Sequence, residues 1–208
     1  MDFQRLVELT ADLHCFSAGM LTAGEDIDQV RVQLSRWAAG DRVIRIHKGW
    51  YTLSEPFRRI RPDANVIACT IRQAAYVSLH SALAYHGMIP EYVPETTCVT
   101  TGRPLVIDSP LGRIRYRHVK KIAFFGYQRK ENGMQHAYLA TPEKALLDLF
   151  YLTAGSTDAD YIAGLRLQRL ADLNSAQMAR IARHYKSPRL MRAVSLIEQF
   201  KRQAKGSH

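Results

Sequence analysis

The segment from Asp26 to Leu53 constrains this chain more than any other, because two different periodicities meet in it without a gap. Ile27, Val30, Leu34 and Trp37 recur at the three- and four-residue spacing of an amphipathic helix and define one apolar stripe. With successive residues about 100° apart, Asp28, Gln29, Val32, Ser35 and Arg36 fall opposite that stripe, and Arg31 and Gln33 lie on its flanks. Directly afterwards Val43-Ile44-Arg45-Ile46 and Trp50-Tyr51-Thr52-Leu53 flank His47-Lys48-Gly49, the pattern of a β-hairpin with a cationic tip. Upstream, Phe3, Leu6, Val7, Leu9 and Leu13 predict a first helix, and Phe16-Ser17 with Ala18-Gly19-Met20-Leu21 a short second one. Three helices and then a hairpin, all within residues 1–58, is the element order of a winged helix-turn-helix.

An outer face of this composition suits a DNA major groove. Gln pairs bidentately with adenine, Arg with guanine or phosphate, and an exposed Val touches a thymine methyl. The DNA-contact candidates are therefore Asp28, Gln29, Arg31, Val32, Ser35 and Arg36 on the helix, with Arg45, His47 and Lys48 on the wing beside a phosphate backbone. The competing account is plain: helix-plus-hairpin pairs are common, and charged outer faces are usually only solvated.

Charge placement bears on that choice. Residues 1–28 hold one Arg against six acidic groups, whereas residues 29–61 hold eight basic against two acidic, so positive charge begins where the candidate helix begins. Two more basic blocks follow, eight against one in 103–130 and ten against two in 161–208. Such stripes attract polyanions through counterion release, each neutralised phosphate adding about −0.9 to the log–log salt slope. Basic charge alone suits RNA or an acidic partner protein equally well.

At 208 residues the chain has room for one large or two small domains. No run of about eighteen apolar residues predicts a membrane span, and the N-terminus lacks the charged-then-apolar pattern of a signal peptide. Cys15, Cys69 and Cys98 are scattered and odd in number, which argues against a disulfide framework or a CxxC metal site. The expectation is a cytoplasmic protein with no membrane partner, no cofactor and no metal.

Beyond the hairpin, Ser54 to Asp63 carries two prolines and no periodicity, and reads as a linker. Asn65 to Ala75 predicts a helix, Ser78 an N-cap, and Leu79 to Gly87 a short helix stopped by glycine. Thr96 to Thr101 predicts a strand. Arg113, Arg115 and Arg117 alternate with Ile114, Tyr116 and His118, which predicts a strand with one cationic and one inward face. With Lys120 and Lys121, these arginines are candidates for secondary nucleic-acid or partner contacts. Ile122 to Tyr127 and Gln135 to Leu139 predict further strands, and Thr141 caps a helix opened by Pro142 and Glu143. Helices follow from Tyr161, with starts at Asn174 and Ser187-Pro188, and Leu190, Val194, Ile197 and Phe200 keep helical spacing on the last. The predicted class is α+β: a winged helix-turn-helix at 1–58, a mixed α/β domain at 64–155, and a basic helical tail at 156–208 packed on it. The terminal Gly206-Ser207-His208 is set aside from fold reasoning.

Catalytic signatures are missing: no Gly-rich phosphate loop ending in Lys-Ser/Thr, no GxSxG and no HExxH. Gly155-Ser156-Thr157-Asp158-Ala159-Asp160 superficially resembles a nucleotidyltransferase motif, but its carboxylates crowd the Gly-Ser where that chemistry needs an intervening strand. Ser78 and His80 sit two apart on a helix and point in different directions. His86, before Gly87, suits the negative end of a helix dipole. His14, His118 and His136 lack metal-site spacing, and Glu143-Lys144 open a capped helix rather than lie on a strand. A non-enzyme is expected.

Four stretches taken in order carry a family likeness. Val30-Arg31-Val32-Gln33-Leu34-Ser35-Arg36-Trp37, with Gly40 and Lys48-Gly49-Trp50-Tyr51-Thr52-Leu53, resembles the winged-helix half of AbiEi-type antitoxins of bacterial type IV toxin–antitoxin systems. Tyr76 to Gly87 resembles that family's central signature, and Val99-Thr100-Thr101-Gly102 and Ala140 to Leu149 match in the same order. The resemblance covers residues 1 to about 155 and is least distinctive in the helical tail. It implies an antitoxin domain at 64–155 and a transcriptional autorepressor binding inverted repeats in double-stranded DNA near its own operon. It also implies a functional partner, a nucleotidyltransferase toxin, counteracted without necessary direct contact. It supplies no catalytic residues. A stand-alone bacterial regulator shares the architecture, and a nucleic-acid-processing enzyme using the basic second domain is the other alternative.

Overall fold

The computed structural model describes residues 1–22 and 26–206. Ser207 and His208, at the end of the predicted tail, lie outside the described residues. Helix α1 (Phe3–Thr10) starts where the Asp2 carboxylate accepts from the Arg5 amide, 2.8 Å away. Strand β1 (Phe16–Ser17) and a single 3-10 turn (Ala18–Met20) lead to helix α2 (Ile27–Ala39) and a hairpin of β2 (Val43–His47) and β3 (Trp50–Leu53). The three strands form an antiparallel sheet in the order β1-β3-β2. Leu6, Phe16, Val30, Leu34, Val43 and Leu53 close a small core against it. Phe3 sits edge-on to both Trp37 and Phe57 at the margin of that core.

The second helix expected from Phe16 to Leu21 is corrected. Phe16 and Ser17 pair with Tyr51 and Trp50 as a strand, leaving only one 3-10 turn behind them. Phe16 is wholly buried in the small core, and sheet pairing satisfies its backbone where an isolated short helix would leave most carbonyls open. Ile27 also departs from its predicted stripe. As the first residue of α2 it overhangs the core and is 37% exposed.

After a 3-10 turn at Glu55–Phe57 come α3 (Ala64–Ile71), β4 (Ala75–Val77), α4 (Leu79–Tyr85), β5 (Glu95–Thr100), β6 (Leu105–Ser109) and β7 (Gly112–His118). Then follow β8 (Tyr127–Asn132), β9 (Gln135–Ala140), α5 (Pro142–Leu152), α6 (Ala159–Gly164), α7 (Ser175–His184) and α8 (Pro188–Gly206). Strands β4 to β9 form a six-stranded sheet in the order β6-β7-β5-β4-β9-β8, parallel at β4–β9 and β5–β7 and antiparallel elsewhere. The chain is a mixed α+β protein, with eight α-helices and two sheets among the described residues.

Three local expectations change here. Helix α3 stops at Ile71 instead of Ala75, because Ala75-Tyr76-Val77 are drawn into the middle of the large sheet between β5 and β9. The apolar run at Ile122–Tyr127 is not a strand. A 3-10 turn (Lys121–Ala123) buries Ala123, and β8 begins only at Tyr127. Gly126 makes that bend at φ +77, where an added Cβ would meet the Lys144 side chain at 3.1 Å. His118 points out to solvent because β7 ends there, and Val119 turns into the core instead.

The two parts are joined by more than the Ser54–Asp63 segment. Cys15 and Ile46 belong to the larger core, and Trp50 packs on it. The Gln135 side chain on β9 accepts from the amides of His14 and Cys15 at 2.7 and 3.2 Å and donates to the Cys15 carbonyl at 2.8 Å. His14 is buried beside it, its Nδ1 accepting from the Asp63 amide and its Nε2 facing the Asn132 carbonyl.

Candidate nucleic-acid interface

Helix α2 is held by its apolar stripe and leaves its other face bare. Val30 and Leu34 are wholly buried, and Trp37 is half-buried with its ring 5.5 Å from that of Phe3. Asp28, Gln29, Arg31, Val32, Ser35 and Arg36 are all exposed, Val32 by 50%. The helix starts cleanly, since the Asp26 carboxylate accepts from the Asp28 and Gln29 amides. Arg36 lies in the last turn, where a cation complements the dipole. Gln29, Ser35 and Arg36 make no side-chain hydrogen bond or ion pair among the described residues. Arg31 differs: its guanidinium is 2.8 Å from Asp28 one turn earlier, an exposed pair of the kind worth under about 1 kcal/mol.

The hairpin bends at its tip. Its register shifts between Arg45 and His47, and Gly49 turns the chain at φ +79. Arg45 and Lys48 are exposed with no ion-pair partner among the described residues. His47 is half-buried, and its pKa is depressed by burial first and then by the charges of Arg45 and Lys48. One side of β2 is committed elsewhere, since Ile46 is sunk into the larger core. The six helix candidates thus share one exposed face, and the other three sit at or beside the hairpin tip of the same small module.

The secondary candidates divide. On β7, Ile114 and Tyr116 pack inward as expected, but the arginines are not a free cationic face. Arg113 is 2.6 Å from Asp108 on β6, and that contact holds the Asp108 carboxyl below its ordinary pKa. Arg115 grips both oxygens of Glu95 on β5 at 3.0 and 3.1 Å, and Arg117 donates to the Leu152 carbonyl. Each arginine found an acceptor on a neighbouring element that local sequence could not disclose. Lys120 and Lys121 remain exposed and unpaired among the described residues.

A buried polar cluster escaped the sequence reading. Lys144 and Asp148 on α5 are wholly buried, with Nζ 2.5 Å from Asp148 Oδ1, 2.7 Å from the Tyr76 hydroxyl and 2.6 Å from the Tyr185 hydroxyl. Asp148 also accepts from Tyr76, Ser78 and Tyr185, so all three ammonium donors and both carboxylate oxygens are satisfied. The rings of Tyr76, Phe125 and Tyr185 surround Nζ at 5.0 to 5.2 Å. Burial pulls the Lys144 pKa down, and the Asp148 charge opposes that. Ser78 does not cap α4 as expected, because its hydroxyl is turned to Asp148 at 2.7 Å. The available signal was a Lys and an Asp four apart in a helix with apolar residues on every side.

A cavity of about 400 Å³ lies beside residues 91–95, lined by His80, Ile89, Glu91, Tyr92, Glu95 and Leu165 among others. Its carboxylates are engaged, Glu91 by Arg166 and Glu95 by Arg115. Burial lowers the His80 pKa, and the nearby Glu91 and Glu95 counter it. Among the described residues no cluster of His, Cys, Asp and Glu could hold a metal ion, and no helix is long and apolar enough to cross a membrane.

No family model and no curated protein matches this chain. Among solved structures it is similar to the RV2827C protein from Mycobacterium tuberculosis, with a TM-score of 0.58 and 14% identity. The match covers 94% of this chain and 75% of that one. At that identity the likeness speaks to the fold alone.

Proposed function

We propose that this protein is a sequence-specific DNA-binding transcriptional repressor acting as the antitoxin of a type IV toxin–antitoxin system, autoregulating its operon and counteracting a nucleotidyltransferase toxin. The DNA-binding part is supported by the order α1, β1, 3-10 turn, α2, β2, β3 with sheet order β1-β3-β2, which is the arrangement of a winged helix. The observation that carries it is the outer face of α2. Gln29, Val32, Ser35 and Arg36 are exposed without internal partners, on a helix whose other side is locked by Val30 and Leu34. In this mechanism α2 enters the major groove and reads base edges, while Arg45, Lys48 and a protonated His47 grip the phosphate backbone and set the register. The antitoxin part is supported by the ordered motifs from Tyr76 to Leu149.

A nucleic-acid-processing enzyme is the weaker reading. Glu143 is buried with an oxygen bonded to the Asn174 amide, and Asp148 is enclosed by its cluster, so neither faces a substrate.

The test is a gel shift at fixed salt with the DNA upstream of the protein's own reading frame. A specific shift lost in Arg36→Ala is expected, and a wild-type protein with no preference for that DNA over a scrambled duplex would refute the reading. Co-expression with an adjacent nucleotidyltransferase gene checks the antitoxin part: growth restored by the wild type is expected, and unrelieved toxicity counts against it.

A further inference from the structure

The cations outside the small module fall into two populations. Those of β7 are paired, as are Arg166 with Glu91, Arg169 with Asp172, and Arg189 with the carbonyls of Phe150 and Thr153. Lys120, Lys121, Arg180, Arg183 and Lys186 are exposed and make no side-chain hydrogen bond or ion pair among the described residues.

These five belong to one surface. On α7, Arg180, Arg183 and His184 are spaced i, i+3 and i+4 and share a face, opposite the buried Met178, Ile181 and Ala182. The His184 ring meets Phe125 edge-on with centroids 4.5 Å apart. Phe125 directly follows the turn that carries Lys121, so Lys120 and Lys121 stand beside the end of α7. Lys186 continues the ridge just past that end. No acidic residue occurs in 109–130 or in 173–197, and Glu143, packed beneath α7, is buried and bonded to the Asn174 amide. A dipole effect accounts for Arg183 and His184 at a helix C-terminus, but not for Arg180 or the two lysines of another element.

We infer that this ridge is a second binding surface for the phosphate backbone of duplex DNA, separate from α2 and the hairpin tip. The inference rests on the DNA-binding reading above and extends its footprint. The ridge offers positive charges without a stacking platform, because Phe125 is half-buried and already covered by His184. Single-stranded nucleic acid needs exposed aromatic faces for its bases, whereas a duplex backbone needs only charge at the right places.

The full-length chain carrying Lys120→Gln, Lys121→Gln, Arg180→Gln, Arg183→Gln and Lys186→Gln tests this, with an unchanged thermal melt as the folding control. Fluorescence anisotropy is titrated over a salt series with a short duplex and a longer one on the same operator. The expected result is a salt slope on the longer duplex reduced by at least about 2 units, each lost phosphate contact removing about 0.9. An unchanged slope and affinity, with the wild type binding the operator, overturns the ridge but leaves the α2 reading standing. A wild type that binds neither duplex refutes the DNA-binding reading itself. A variant that loses only single-stranded RNA binding assigns the ridge to a different partner and overturns the inference.

Discussion

Helices α2 and α5 each carry three Asp, Glu, Lys or Arg residues and treat them in opposite ways. In α2, Asp28, Arg31 and Arg36 stand in solvent, while in α5, Glu143, Lys144 and Asp148 are all buried. The difference lies in the apolar residues around them. α2 has a single stripe, so its charges have an outside to occupy. α5 has Ala145, Leu146, Leu147, Leu149 and Phe150 around its whole circumference, so it is enclosed and its charges must find partners inside. A charge is thus available to a ligand only where the helix has a polar side left over.

The sharpest break in this contrast is Lys144→Ala. It leaves Asp148 buried and unpaired, and a stability loss of about 3–5 kcal/mol is expected in chemical denaturation. The double change Lys144→Met with Asp148→Leu recovers much of that loss, and a single variant as stable as the wild type would show the cluster to be dispensable. Next in size is Arg36→Ala on the open helix. Operator affinity falls by about 1–3 kcal/mol, while the melting curve stays put because nothing internal touches Arg36. A shifted melt would reveal a structural role instead. Asp28→Asn releases Arg31 from its exposed pair and raises affinity by less than about 1 kcal/mol, measurable by anisotropy at low salt and fading at high salt.

The smallest expected effect is in pH. The folded-state pKa of His47 is depressed, so its stability contribution is full above the ordinary histidine range and is lost as pH falls through the lowered value. DNA affinity moves the other way, since the imidazolium formed on acidification is drawn to phosphate. Affinity rises with acidification in the wild type and less so in His47→Gln; identical pH profiles would remove His47 from the contact set.

What was legible in the sequence follows the same division. The α2 stripe, the Lys48-Gly49 hairpin and the Thr141 cap depend on neighbours within a few residues, and they stand as read. Strand β1, strand β4 and the role of Ser78 depend on partners across the fold: Tyr51, Val99 and Leu139, and Asp148. The three β7 arginines alternate as expected, yet Asp108, Glu95 and the Leu152 carbonyl neutralise or occupy them, and none of those lies on the strand itself.

One side chain, Gln135, holds two amides and a carbonyl at the junction of α1 and β1, where a swivel between the two parts would otherwise form. With that backbone clasped and Ile46 anchored beyond it, the six-stranded sheet keeps a fixed bearing relative to α2. A duplex gripped by the one is therefore presented to the other at a set angle, and paired copies on a symmetrical site inherit their spacing from this clasp rather than from a loose tether.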